Sequence, residues 1–277
     1  MAIQVKALAR RRIANTAFLV LAALACWFLW RLLQISLRPH AFYSGILLLA
    51  FVLLLTLFNA RKKLPFLPLL KASHWLQFHI YAGLLSIFLY GLHTGFRIPR
   101  GGLETGLAVL FLIVTVSGVL GLFITRLLPK LMATSGEQLA FDKISAYEIR
   151  LRREVEELIE STEKATGTSA LGDAYIRQLS GYFRSRSPLL FFLGNTNRFH
   201  TRAVAEIGDI GRYTSAEEQK SLVQMRSLVD TKRNLDLQKC SQWVLRCWLF
   251  IHIPFTYSML VVALVHAWIA FNYTLSR

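Results

Sequence analysis

Two apolar stretches carry the side chains best suited to chemistry: His79 to His93, and His252 to His266. Each is bracketed by histidines fourteen residues apart. At about 100° per residue, fourteen steps fall roughly 40° short of four turns, so both histidines of a pair share one helix face. At ~1.5 Å per residue they stand about 21 Å apart along the axis. Within a hydrocarbon layer ~30 Å thick, that puts one histidine in each half of a membrane. Ionisable groups inside a bilayer are costly to keep and default to functional candidates, and neutral imidazole is a common ligand for transition metals. Two helices with such pairs are suited to clamping two flat, metal-centred cofactors, one above the other.

Helices long enough to hold these residues follow from hydropathy. The chain of 277 residues is 54% hydrophobic, with a mean hydropathy of +0.43, too apolar for an ordinary soluble domain. Five spans are expected, at Ile13–Leu33, Phe42–Ala60, Trp75–Phe96, Leu103–Leu127 and Val244–Tyr273. The expected fold is therefore all-α: an integral membrane bundle of five transmembrane helices, with a cytoplasmic helical insert between the fourth and fifth. Residues 1–127 hold the first four helices, 128–242 the insert, and 243–277 the fifth helix that completes the bundle. The apolar run after Lys6 and Arg10 to Arg12 passes through Cys26 to Trp30. That is longer than a cleavable signal core, and it reads as a retained first span.

The net charge of +16 is unevenly spread. The insert has 17 Lys/Arg against 15 Asp/Glu, while the rest of the chain has 15 Lys/Arg and a single acid, Glu104. The excess positive charge thus flanks hydrophobic segments, where it orients helices and meets anionic membrane lipid; nucleic-acid binding is excluded as the reason for it. A cytoplasmic N-terminus places Lys6, Arg10, Arg11, Arg12, Arg61, Lys62, Lys63, Lys71, Arg126 and Arg246 inside. Only Arg31, Arg38, Arg97, Arg100 and Arg277 fall outside, which favours this orientation and a periplasmic C-terminus.

With that topology the third and fifth spans run parallel. His79 then matches His252 in depth near the cytoplasmic side, and His93 matches His266 near the outer side. No Asp or Glu interrupts the apolar interior of a span, with Glu104 only at the mouth of the fourth, which argues against a proton relay or a divalent-metal transporter. Cys26, Cys240 and Cys247 form no CxxC, so a disulfide framework, a zinc site and a Cys-ligated iron–sulfur cluster are not expected.

The insert carries no GxGxxG, phosphate loop or cysteine cluster, and so no sign of a nucleotide or flavin site of its own. It reads as helical over Ile144–Lys164 and again from near Leu171 to near Phe183. Ser215-Ala-Glu-Glu218 is a capping box from which a long helix runs toward the fifth span.

On its paired histidines and their setting, the chain resembles the membrane di-haem b-type cytochromes, the broad group that includes cytochrome b and the ferric-reductase-like transmembrane domains. The resemblance covers spans two to five. It implies two haems b as cofactors, the inner ligated by His79 and His252, the outer by His93 and His266. It implies electron transfer across a bacterial-type inner membrane, with a redox partner on the insert or on the periplasmic face. A contact with membrane quinone stays open.

The insert is longer than the loops of that group at this place, and no flavin and nicotinamide domain is present. Both departures favour a cytochrome subunit of a redox complex over a self-contained reductase. Gly83, one turn beyond His79, would let a porphyrin approach; Arg97 at the outer edge and Arg126 at the inner edge would pair with its propionates. Ordinary helix packing for Gly83 and interfacial snorkelling for the arginines are the competing roles. The reading from another class is a haem-free membrane anchor or transporter whose insert recruits proteins.

Overall fold

The computed structural model describes residues 2–36, 40–60, 72–133, 141–168, 170–184, 196–212 and 215–275. Among these the chain is all-α, with no strand. Four helices come first: α1 (Ala2–Ile35), α2 (His40–Ala60), α3 (Ala72–Thr94) and α4 (Gly102–Ala133). Then follow α5 (Phe141–Thr166), α6 (Ala170–Ala174), a π-helical turn (Tyr175–Leu179), α7 (Ser180–Arg184), α8 (Thr196–Ile210) and α9 (Ala216–Leu275). Five helices are long and apolar enough to cross a membrane. They expose large apolar side chains such as Phe18, Leu21 and Phe28 on α1 and Phe250 and Trp268 on α9. In water such surfaces would drive aggregation, whereas in lipid they are solvated by acyl chains. Arg38, Arg61, Lys62, Lys63, Lys71 and Arg277 lie outside the described residues.

The chain forms two compact units, residues 1–122 with 249–277, and residues 123–248. The boundaries fall a few residues inside the expected fourth and fifth spans. In the first unit α3 is central. Leu85, Leu89 and Leu92 recur at spacings of four and three, which puts them on one face. That face packs on Leu19, Ala23, Cys26 and Trp30 of α1 and on Leu47, Leu48 and Phe51 of α2. A Schellman motif ends α3: the Phe96 N–H donates to the Gly91 carbonyl at 2.8 Å, and the Gly95 N–H to the Leu92 carbonyl at 3.3 Å. Gly95 (φ 61°) and Phe96 (φ 56°) both adopt the left-handed backbone that this reversal needs. The stop comes two residues after His93 and turns the chain back toward Arg97.

The second unit is a helical domain with its own core. On α5, Ile144, Glu148, Leu151, Val155 and Thr162 are buried at helical spacing. Leu151 and Val155 join Leu179, Phe183, Ile207, Met225 and Val229. Ser215 and Glu218 form the expected capping box: the Ser215 N–H donates to the Glu218 carboxylate at 2.9 Å, and the Glu218 N–H to the Ser215 hydroxyl at 3.4 Å. Helix α9 runs without a break from this cap to Leu275, with Pro254 inside it. Helix α8 was not expected from the sequence.

The core of this unit also holds charge. Lys232, 1% exposed, is ion-paired with Asp236 one turn on and faces the Tyr182 ring. Lys239 bonds buried Glu148 at 2.9 Å. His200 is mostly covered, with its Nε2 2.7 Å from Asp230.

Candidate histidine-pair site

All four candidate histidines lie in the first unit, and they pair as their depths require. The rings of His93 and His266 have centroids 6.3 Å apart at an interplanar angle of 83°. His79 and His252 lie close enough to act on each other electrostatically, as do His93 and His266. For both pairings to hold, α3 and the 249–275 stretch of α9 must run parallel and in register.

Each level has its own tether. The Nδ1 of His93 is 2.9 Å from the Ala41 carbonyl in the first turn of α2. A carbonyl can only accept, so Nδ1 carries the proton and Nε2 is left with its lone pair. Gly45 makes this approach possible. It lies one helical turn after Ala41, and a Cβ there would come within 2.8 Å of His93 Cε1. His252 reaches α4 in the same manner, with its Nδ1 2.8 Å from the Ser117 hydroxyl. Beside it, a Cβ on Gly118 would lie 3.6 Å from His252 Cε1. His79 packs against Phe58, ring centroids 4.8 Å apart, with the Leu55 carbonyl on its α2 side. Its buried Nδ1 makes no hydrogen bond of good geometry.

Two adjoining cavities, of about 110 and about 530 Å³, share His93 and His266. The tighter one is walled by Phe42, Gly45, Tyr90, Phe111 and Met259; the wider one reaches Arg97, Arg100, Glu104 and Tyr273. Tyr90 and Phe111 stack at 4.4 Å, and Phe42 stacks on Phe271 at 6.5 Å, which stiffens the wall. Glu104, which the sequence left at the mouth of the fourth span, thus joins two arginines in the lining and acts electrostatically on His93.

Of the remaining candidates, Gly83 faces open space, with no atom within 4 Å of where a Cβ would stand. Arg126 is exposed and belongs to the second unit. His40 is the first residue of α2, its ring edge-on to Trp30 at 5.8 Å. Gly45 and the contact of Ser117 with His252 were not foreseen.

The donor set can be tested for what it could hold. Among the described residues no three His, Cys, Asp or Glu side chains converge. A metal at either level would therefore take two imidazoles from the protein and its other ligands from the group that carries it. Two nitrogens each ~2 Å from one ion would set the ring centroids about 6 Å apart, in line with the spacing of His93 and His266. A volume near 530 Å³ is of the size ligand pockets have, and two guanidinium groups suit an anionic periphery. The residues fit a planar metal macrocycle with acidic substituents. No protein-family model, curated protein or solved structure matches the chain.

Proposed function

We propose that this chain is an integral membrane cytochrome that carries electrons across the bilayer through two b-type haems, each held between two histidines. The observation that carries this reading is the His93–His266 pair: two imidazoles 6.3 Å apart, with the Nε2 of His93 left free by its bond to Ala41. Haem, when bound, supplies four equatorial nitrogens and a one-electron ferric–ferrous couple. The chain supplies the rest. His79 and His252 would hold one group, and His93 and His266 the other, about 21 Å further along the helix pair. Arg97 and Arg100 offset acidic substituents at the second level, and the stacked Tyr90 and Phe111 give it an apolar wall.

The levels differ in their charged surroundings, so their potentials should differ. In this reading residues 123–248 are the cytoplasmic platform for a redox partner, and the opposite face exchanges electrons with a periplasmic protein or with quinone. The membrane is a bacterial-type inner membrane.

The test is a reduced-minus-oxidised absorption spectrum and a haem:protein ratio on protein expressed with adequate haem. A ratio near two is expected, with His79→Ala and His266→Ala each losing a different haem. A protein with no b-type signal overturns the reading and leaves a haem-free anchor or transporter.

A further inference from the structure

We infer that Ser117 is the positioning residue of the His79–His252 level, setting the tautomer of His252 so that its Nε2 lone pair faces the ligand. The inference rests on the proposed haem reading for its ligand, but not for its geometry. Ser117 is 7% exposed in an apolar helix, where an unpaired hydroxyl is costly. Its single proton is accepted by the Val114 carbonyl three residues back, at 2.9 Å. The hydroxyl therefore has no need of His252 for its own satisfaction. His252 Nδ1 approaches to 2.8 Å. If Nδ1 carries the proton, both contacts are hydrogen bonds at once, the hydroxyl donating to Val114 and accepting from His252. In the other tautomer the two acceptors compete for one proton. The arrangement therefore selects Nδ1–H and puts the lone pair of the ring on Nε2.

The His93 level reaches the same tautomer by another route, since Ala41 offers a main-chain carbonyl. The two levels are thus tuned by groups of different kinds. One is fixed in the backbone, and the other is a side chain that a single substitution removes. A bond from Nδ1–H to an acceptor pushes electron density into the ring and strengthens its donation to a metal. Removing that acceptor should raise the midpoint potential of this level alone and weaken its hold on haem about 10- to 100-fold.

The experiment compares wild type, Ser117→Ala and Ser117→Thr as full-length chains, in two measurements. The first is a redox titration with haem bound. Ser117→Ala should shift one midpoint potential upward and leave the other in place, and Ser117→Thr, which keeps the hydroxyl, should restore it. The second is ¹⁵N-histidine NMR of the haem-free chain, which reads the His252 tautomer directly. Nδ1–H is expected in wild type and in Ser117→Thr, and a mixture in Ser117→Ala.

If the wild type binds no haem, the proposed function fails, while the NMR still decides the role of Ser117. If two haems bind and Ser117→Ala moves neither potential, or moves both equally, the positioning role fails and the cytochrome reading stands. A shift that Ser117→Thr does not reverse also overturns it, because the hydroxyl would then not be the cause.

Discussion

Replacing Gly45 with alanine tests the His93 level with a single methyl group. The added Cβ would stand 2.8 Å from Cε1 and 3.2 Å from Nδ1 of His93. Non-bonded carbons settle at ~3.5–4.0 Å, so the ring must retreat by roughly 0.7 Å. Ligand distances at metal sites tolerate about 0.2 Å, so the retreat is several times too large. It also carries Nδ1 toward or past the ~3.2 Å limit of its bond to Ala41. Overpacking costs about 1–3 kcal/mol and a lost hydrogen bond about 0.5–1.5 kcal/mol, roughly 2–4 kcal/mol together. If half of that falls on the site, its affinity for haem drops about 5- to 30-fold. The assay is the haem:protein ratio of the purified variant under limiting haem, with spectra resolving the two centres. The centre tied to His93 and His266 should be depleted and the other retained. A Gly45→Ala protein with two haems and unchanged spectra would refute the argument that Gly45 exists to admit the His93 ring.

Other perturbations probe separate parts of the molecule. Gly83→Ala meets no atom within 4 Å, so the haem-free protein should be as stable as wild type or slightly more so; if a macrocycle lies against that face, haem affinity should still fall, and equal affinities would remove Gly83 from the site. Lys232→Met removes the main partner of the partly buried Asp236 carboxylate and should cost about 1–3 kcal/mol in denaturant unfolding of the second unit, whereas adding Asp236→Leu should recover most of that loss. A double variant as unstable as the single one would show that the pair is not the cause. Burial, with the Asp236 carboxylate, raises the Tyr182 phenol above the ordinary tyrosine range, and its hydroxyl donates to the Val229 carbonyl. The folded state therefore keeps a proton that the unfolded chain releases above about pH 10, so stability is full below that pH and declines above it. Tyr182→Phe should flatten the decline, as followed by alkaline unfolding.

Much of this was legible from side-chain type and spacing. The five apolar runs, the fourteen-residue histidine intervals and the Ser215–Glu218 cap are local patterns, and the structure has helices at each run and the reciprocal bonds at the cap. The tethers were not legible. Ala41 contributes a carbonyl, which every residue has. Gly45 sits in a helix so uniformly apolar that no periodicity tells which side meets α3. Ser117 reads as a small packing residue until its partner, 135 positions away, is known. Helix α8 is a different case: Ala203, Val204, Ile207 and Ile210 recur at helical spacing and pack on the core, so its signal was present in the sequence. His200 looks exposed from its neighbours in sequence and is covered next to Asp230, thirty positions away, while Glu104 stays exposed yet lines the cavity beside His93.

The equal intervals on α3 and α9 also limit how the sequence can change. Thirteen residues separate His79 from His93, and thirteen separate His252 from His266. Their identities are free within the demands of packing, but their number is not. Losing one residue from either interval would swing its second histidine by about 100° and shorten that rung by ~1.5 Å. Losing one from both would restore the height and not the direction, since each helix turns about its own axis. Only matched changes close to whole turns, such as about seven or about eleven residues, bring both histidines back to face each other. The two helices are therefore bound to lengthen or shorten together, in lockstep, while the loops that join them can drift.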